Sequence, residues 1–150
     1  MGDLTYSRTF RCTPAALWPW LTESDKIVRW MKGVEEHRFA EPPPHGRGAK
    51  FSMKIKEGGK LSDYAGELLD VEPRRRLRLK LVGGCGPRPM AMEIEYRLSD
   101  LGRETQVDYA CRMELPPGCL WAILGWIGSK VARAMAKRFF AKLATLVEAA

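Results

Sequence analysis

The sequence predicts an α+β fold in which a seven-stranded antiparallel sheet wraps around a long C-terminal helix. Three observations predict this fold. Residues 34–115 alternate between apolar and polar side chains and are interrupted by short turns, which is typical of strands joined as hairpins. Residues 119–150 contain no proline and carry apolar side chains at helical spacing. Two short helical segments lie between the first strand and the remaining six.

Local signals define the N-terminal elements. Alternation over Leu4–Arg11 predicts the first strand. Thr13 followed by Pro14 is typical of a helix start, because proline suits the first helical position. Pro19 predicts that this helix is short or kinked. Ser24 is expected to cap a second short helix.

Turn residues divide the following segment into six strands. The proline-rich segment 42–48 is predicted to be a loop, and Gly58-Gly59 a hairpin turn. Pro73 ends the strand that begins near Lys60, and glycines at 83–86 and 102 mark two further turns. Connections of this length predict one antiparallel meander.

The C-terminal helix is predicted to bury one apolar stripe against the concave face of the twisted sheet, because that face is the available partner. Basic side chains lie elsewhere around the helix. The predicted stripe comprises Val131, Met135, Phe139, Leu143 and Leu146. With 150 residues, the chain is expected to form a single domain, 1–150.

Composition narrows the classes of function. The chain has a net charge of +7, which favours anionic partners or simply solubility. The apolar run 119–128 is about half of the roughly 20 residues that a membrane-spanning helix needs, and the N-terminus lacks an apolar signal core. A cytoplasmic location is therefore expected. The four cysteines have no C-x-x-C spacing, so neither a metal nor another cofactor is expected.

Three sets of residues resemble a known superfamily. They are Phe10–Trp18, then Leu21-Thr22 with Trp30 and Gly33-Val34, and Gly66–Pro73 with Leu77 downstream. The superfamily that they resemble is START-like (SRPBCC), which includes polyketide cyclase/dehydrase and pollen-allergen branches. The resemblance covers essentially the whole chain. It implies the helix-grip fold and a cavity between the sheet and the C-terminal helix that takes small apolar ligands. These motifs mark the architecture and do not identify a ligand.

The predicted inward rows of the sheet and helix supply the candidate ligand-binding residues. Methionine and aromatic side chains suit a cavity that accepts apolar ligands, although the same pattern is expected of a filled core. The favoured function is binding, and by extension transport, of a small hydrophobic or lipid-like molecule. An interaction module without a ligand is a further alternative. The candidates on these rows are Phe51, Met53, Met92, Tyr96, Tyr109, Met113, Met135 and Phe139.

Arg8 shares a predicted strand face with apolar residues, although its side chain cannot lose its charge in a protein. It is expected to pair with Asp63 or Glu67, to bind an anionic ligand, or to reach water at the sheet edge.

An enzyme of the polyketide cyclase/dehydrase type is the alternative function. Glu67, with Tyr96 and Tyr109, would then supply general acid–base groups. His37 is expected to face solvent, and His45 lies in a proline-rich loop where a catalytic base would be poorly positioned.

Two further surfaces suggest partners. The apolar stretch 120–127, with Trp121, is expected to cover the cavity mouth as a buried lid or to make transient contact with an anionic membrane. The basic run Arg74–Arg76 lacks interleaved exposed aromatic residues, so specific binding to nucleic acid is not expected.

Overall fold

The architecture is a seven-stranded antiparallel sheet with three helices in the part of the chain that the computed structural model describes. That part comprises residues 2–31, 33–57, 59–83, 90–114 and 119–148, with side chains described except at 2, 3, 57, 90, 114 and 119–132. The predicted fold class is confirmed. The elements are β1 (Gly2–Phe10), α1 (Pro14–Thr22), α2 (Ser24–Trp30), β2 (Val34–Phe39), β3 (Lys50–Glu57), β4 (Lys60–Glu72), β5 (Arg76–Gly83), β6 (Met90–Asp100), β7 (Thr105–Glu114) and α3 (Cys119–Glu148).

The strand order is β1-β7-β6-β5-β4-β3-β2. After β1, the chain crosses through α1 and α2 to the far edge of the sheet. It then returns strand by strand until β7 pairs with β1. β1 and β2 are therefore the two edges of the sheet, and every step from β2 to β7 is a connection between neighbouring antiparallel strands.

The two short helices begin differently. Thr13 caps α1, since its Oγ1 accepts a hydrogen bond from the Ala16 N–H at 3.2 Å, and Pro19 lies within a helix of only nine residues, as predicted. The prediction that Ser24 caps α2 is wrong. Glu23 occupies the cap position without a side-chain hydrogen bond, and Ser24 is the first helical residue. Its hydroxyl pairs with His37 instead.

Phe140 joins α3 to the rest of the core. Its side chain is 2% exposed and contacts aromatic rings on three strands and on α2. Tyr6 stacks on it at 5.6 Å between centroids with an interplanar angle of 7°, and Tyr109 meets it edge to face at 5.3 Å. Such pairs contribute more than their buried area alone. The remaining rings around it are those of Phe10, Trp30 and Tyr96.

The buried stripe of α3 is rotated from the predicted one. Met135, predicted to face inward, is 46% exposed, and Phe139 is half-buried at the border of the core. Two of the buried residues in the observed stripe are alanines. A stripe predicted from large apolar residues alone is therefore displaced from the observed one by about one residue. Val131 lies outside the described side chains. The buried residues of the described part of α3 are Ala136, Phe140, Leu143, Ala144 and Val147.

Adjacent phenylalanines on α3 allow a matched test of this packing. Phe140→Ala should lower the free energy of unfolding by about 3–5 kcal/mol, because it leaves a cavity among five aromatic rings. Phe139→Ala should cost less than about half of that, since Phe139 is only half-buried. Urea denaturation of both variants measures the difference. Equal losses would contradict the observed register of α3.

Candidate functional site

A cavity of about 270 Å³ opens between the concave face of the sheet, α1 and α2, and the 40–49 loop. Among the residues with described side chains, the lining comes from the sheet, α1, α2 and the 40–49 loop, and none of it from residues 133–148 of α3. Most of the wall is hydrocarbon or aromatic. The apolar lining comprises Trp18, Leu21, Ile27, Trp30, Met31, Phe39, Pro43, Phe51, Met53, Leu68, Val71, Pro73, Leu77, Leu79, Leu81 and Ile94.

The volume sets the size of a possible ligand. An apolar cavity of about 150 Å³ is large enough to hold benzene. The cavity here is larger than that and close to the lower limit of the range typical of ligand sites, about 300–1,000 Å³. A molecule of about two fused rings fits this space.

Only part of the predicted ligand-binding set lines this cavity. Phe51, Met53 and Tyr96 do, each at 6% exposure or less. Met92, Tyr109, Met113 and Phe139 pack against the core without lining the cavity, Met135 is exposed on α3, and the side chain of Trp121 lies outside the described residues. Arg8 and Glu67 also lie away from the cavity.

Glu67 does not reach the cavity. Its neighbours along β4, Gly66 and Leu68, are buried, and Leu68 lines the cavity, so Glu67 points to the opposite face. There it pairs in register with Lys50 of β3 and Lys80 of β5. The predicted group of Glu67, Tyr96 and Tyr109 is therefore not assembled, since only the tyrosines face the interior.

Arg8 also lies away from the cavity. It is half-buried on the edge strand β1, and its guanidinium carbon is 5.8 Å from the centre of the Phe10 ring. Asp63 is exposed and, like Glu67, lies on the outward-facing row of β4. The predicted pairing of Arg8 with either acid is therefore wrong, because the sheet separates them.

The structure instead brings two histidines to the cavity wall. His37 was expected to face solvent, but it pairs in register with Met53 and lines the cavity. His45, from the 40–49 loop, lies beside it. The signal for His37 was present in the sequence, since Phe39 lies two residues further along the same strand and therefore on the same face.

Contacts on several sides hold the His37 ring. Its Nδ1 is 2.7 Å from the Ser24 Oγ at the start of α2. Its ring stacks on Phe51, with centroids 4.9 Å apart and an interplanar angle of 20°. Phe51 in turn lies over Gly66 so closely that a Cβ at position 66 would overlap its ring. Phe39 meets the His37 ring edge to face at 5.1 Å.

His45 is fixed by its own set of contacts. Its ring stacks on Phe39, with centroids 3.6 Å apart, and its Nε2 is 2.9 Å from the carbonyl oxygen of Glu41. The loop that carries it is tied to β4 by hydrogen bonds from Gly48 N–H to Leu68 O and from Leu68 N–H to Ala49 O. The loop is therefore an ordered part of the cavity wall. The expectation that His45 would be poorly positioned does not hold.

The ionisable groups in the wall favour their neutral forms. Burial, with a further contribution from His45, lowers the pKa of His37 to about 4, so its imidazole is neutral at pH 7. Burial also raises the pKa of the Tyr96 phenol far above its usual value, with Cys111 adding to the shift. The described residues include no cluster of three or more His, Cys, Asp or Glu arranged to hold a metal.

The basic run at the start of β5 belongs to an ion-pair network on the outer face of the sheet. Arg76 binds Glu95 at 2.7 Å, and Arg78 binds Asp70 at 2.8 Å and Glu93 at 2.6 Å. Two of the four arginines in the segment 74–78 are thus neutralised by acids on β4 and β6. This arrangement does not favour binding of nucleic-acid phosphates by the basic run.

Comparison with known proteins agrees with the geometry. An antiparallel sheet that curves around a C-terminal helix and encloses an apolar cavity defines the helix-grip, SRPBCC class of proteins. The family described as "Polyketide cyclase / dehydrase and lipid transport" matches residues 1–149, and the chain belongs to this family. A search of curated proteins finds no significant match.

Solved structures share the fold at low sequence identity. A conserved protein from Geobacillus kaustophilus has a TM-score of 0.79 and 20% identity, covering 97% of this chain and 95% of that one. Ara h 8.0201 has a TM-score of 0.70 and 11% identity, covering 99% and 98%. DynU16, from the dynemicin biosynthetic locus, has a TM-score of 0.67 and 19% identity, covering 99% of this chain and 48% of its own.

The lowered pKa of His37 predicts a pH dependence of stability. Between pH 6.5 and about 4 the unfolded chain binds a proton at this residue and the folded chain does not, so acidification through this range should lower the free energy of unfolding. We expect a loss on the order of 1–2 kcal/mol, since the ring is only partly buried. His37→Phe should flatten this part of the profile in urea denaturations at successive pH values. An unchanged slope in the variant would contradict the assignment.

Proposed function

We propose that the protein binds a small hydrophobic molecule in the cavity beneath α1, α2 and the 40–49 loop. The observation that carries the proposal is an apolar cavity of about 270 Å³ left open inside a packed core. Interiors of folded proteins normally contain few voids larger than a water molecule. Maintaining this one costs dispersion contacts, and a bound ligand would restore them.

Family membership supports the same function. The family description includes lipid transport, and transport of the bound molecule is the natural extension of binding in a cavity. The family description also names cyclases and dehydrases. The acid and two tyrosines predicted for that chemistry are not brought together, because Glu67 lies on the outer face of the sheet. The separation of Glu67 from the two tyrosines therefore favours binding over catalysis.

We further propose that loading involves an anionic membrane surface. The outer face of α3 exposes four basic side chains, Arg133, Lys137, Arg138 and Lys142. Met135, 46% exposed, lies beside them. Basic residues on a helix face are attracted to acidic headgroups by about 1 kcal/mol each near the surface. In the described residues, no helix is long and apolar enough to cross a membrane.

A cytoplasmic site of action is part of the proposal. The side chains of two cysteines are described, and neither Cys12 nor Cys111 forms a disulfide. Burial, with the nearby Glu148, raises the pKa of the Cys12 thiol to about 11, so it stays protonated and unreactive at neutral pH. Cysteines without disulfides suit a reducing compartment.

Binding is tested with N-phenyl-1-naphthylamine, a neutral apolar dye that fluoresces in apolar surroundings. Dye fluorescence should rise on mixing with the protein, and Leu79→Trp should weaken the affinity at least about tenfold by filling the cavity that Leu79 lines. Leu61→Trp is the matched control, since Leu61 is 59% exposed and outside the cavity. Native mass spectrometry of the purified protein should also detect a co-purified apolar molecule. The proposal would be overturned if neither Leu79→Trp nor Leu61→Trp changed the affinity for the dye and no co-purified molecule were detected.

Membrane contact is tested by co-sedimentation with vesicles. The protein should bind vesicles that contain phosphatidylserine more than neutral ones, and salt at roughly 0.5 M should weaken binding because the Debye length shrinks. Reversing charge at Lys137 and Arg138 to Glu should reduce binding at least about tenfold. The same change at Lys54 and Lys56 on the outer face of β3 is the control. Equal sedimentation with neutral and anionic vesicles would remove the membrane from the proposed function.

A further inference from the structure

One ring nitrogen in the cavity wall has no hydrogen-bond partner among the described residues. His37 lines the cavity, and its Nδ1 is occupied by the Ser24 Oγ at 2.7 Å. The second nitrogen, Nε2, has no hydrogen bond to any described residue. Every fully buried side-chain nitrogen or oxygen in the described part of the chain has a partner, so this Nε2 is accessible. A ligand atom in the cavity can therefore reach it.

Ring contacts hold the His37 imidazole, and with it Nε2, in one orientation before a ligand binds. Phe51 stacks on one face of the imidazole, and Phe39 meets it edge to face. Gly66 lies against Phe51 and leaves the Phe51 ring no space on the side of the sheet. A polar group held in this way loses little conformational freedom when it forms a hydrogen bond to a ligand.

The described wall around the nitrogen carries no cationic side chain. No lysine or arginine is found in the described lining of the cavity, and the carboxylate of Glu23, an exposed lining residue, is paired with Lys26 at 3.5 Å. Two other polar groups of the wall are engaged: the Thr22 hydroxyl donates to Trp18 O at 3.0 Å, and His45 Nε2 contacts Glu41 O. An anionic group in the cavity would therefore lose its hydration without gaining a counter-ion, which is strongly unfavourable.

We propose that His37 Nε2 is the polar anchor of the cavity and selects neutral aromatic ligands bearing a hydroxyl or carbonyl group over ligands bearing a carboxylate. This proposal rests on the proposed function, since it assumes that a ligand enters the cavity. The Ser24 hydroxyl can donate to Nδ1 or accept from it. Nε2 can therefore accept from a ligand hydroxyl or donate to a ligand carbonyl, according to the tautomer.

The experiment uses three ligands with one skeleton: 2-naphthol, 2-methylnaphthalene and 2-naphthoate, titrated at pH 7 by calorimetry. The wild-type protein should bind 2-naphthol at least about tenfold more tightly than 2-naphthoate. The ratio of the affinities for 2-naphthol and 2-methylnaphthalene should fall about three- to tenfold in His37→Phe, which keeps an aromatic ring over Phe51. Comparing ratios cancels the difference in hydrophobicity between the two ligands.

His45→Phe is the matched variant. It removes the other imidazole of the wall, whose Nε2 contacts the Glu41 carbonyl. The proposal requires this variant to leave the ratio in place, and a fall as large as that in His37→Phe would contradict the assignment of the anchor to His37. A measurement on the wild-type protein covers the case in which a variant does not fold: the ¹⁵N chemical shift of His37 Nε2 should move on addition of 2-naphthol and stay in place with 2-methylnaphthalene.

The outcomes separate the two proposals. Binding of 2-methylnaphthalene with an unchanged ratio in His37→Phe, or with 2-naphthoate bound as tightly as 2-naphthol, would overturn the role of His37 and leave the proposed function standing. Failure of all three ligands to bind would overturn the assigned ligand class. In that case the N-phenyl-1-naphthylamine titration still decides whether the cavity binds any apolar molecule.

Discussion

The packing of Phe140 against five aromatic rings is the contact on which the rest of the structure depends. It attaches α3 to β1, β6 and β7, and through Trp30 it also reaches α2. Trp30 Nε1 in turn donates to Trp20 O at 2.6 Å, which joins α2 to α1. The aromatic cluster fills one side of the concave face. The short helices are held over the other side, and the cavity beneath them is lined by strands β2 to β6.

Most of the fold follows from local sequence signals, but the rotation of α3 does not. Alternation and turn residues predict the strands because each strand has one buried face. The rotation of α3 is harder to predict, since Phe139 and Phe140 are adjacent and identical, and each could define the buried stripe. The buried stripe is the one that contains Ala136 and Ala144, and alanines give a weak signal in a pattern of large apolar side chains.

The candidate site was only partly predictable because strand irregularities change which face a residue occupies. A bulge between Val34 and Glu36 breaks the alternation in β2. Alternation counted from Val34 therefore places His37 on the solvent face, whereas alternation counted from Phe39 places it on the inner face. In β4 the inward row contains Ser62 and Gly66, so it is no more apolar than the outward row that carries Glu67. Phe51 and Met53, on a regular strand with lysines on the other face, were correctly predicted.

Gly66 influences the size of the cavity from behind its wall. It does not belong to the wall, yet its missing side chain creates the recess in which the Phe51 ring lies. A methyl group at this position would push the ring inward, towards the space that a ligand would occupy. Relatives with this architecture could therefore change the size of molecule they accept without altering any residue that touches it. The size of the ligand would then depend on a residue behind the wall, whereas the polarity of the ligand depends on the residues that line the cavity.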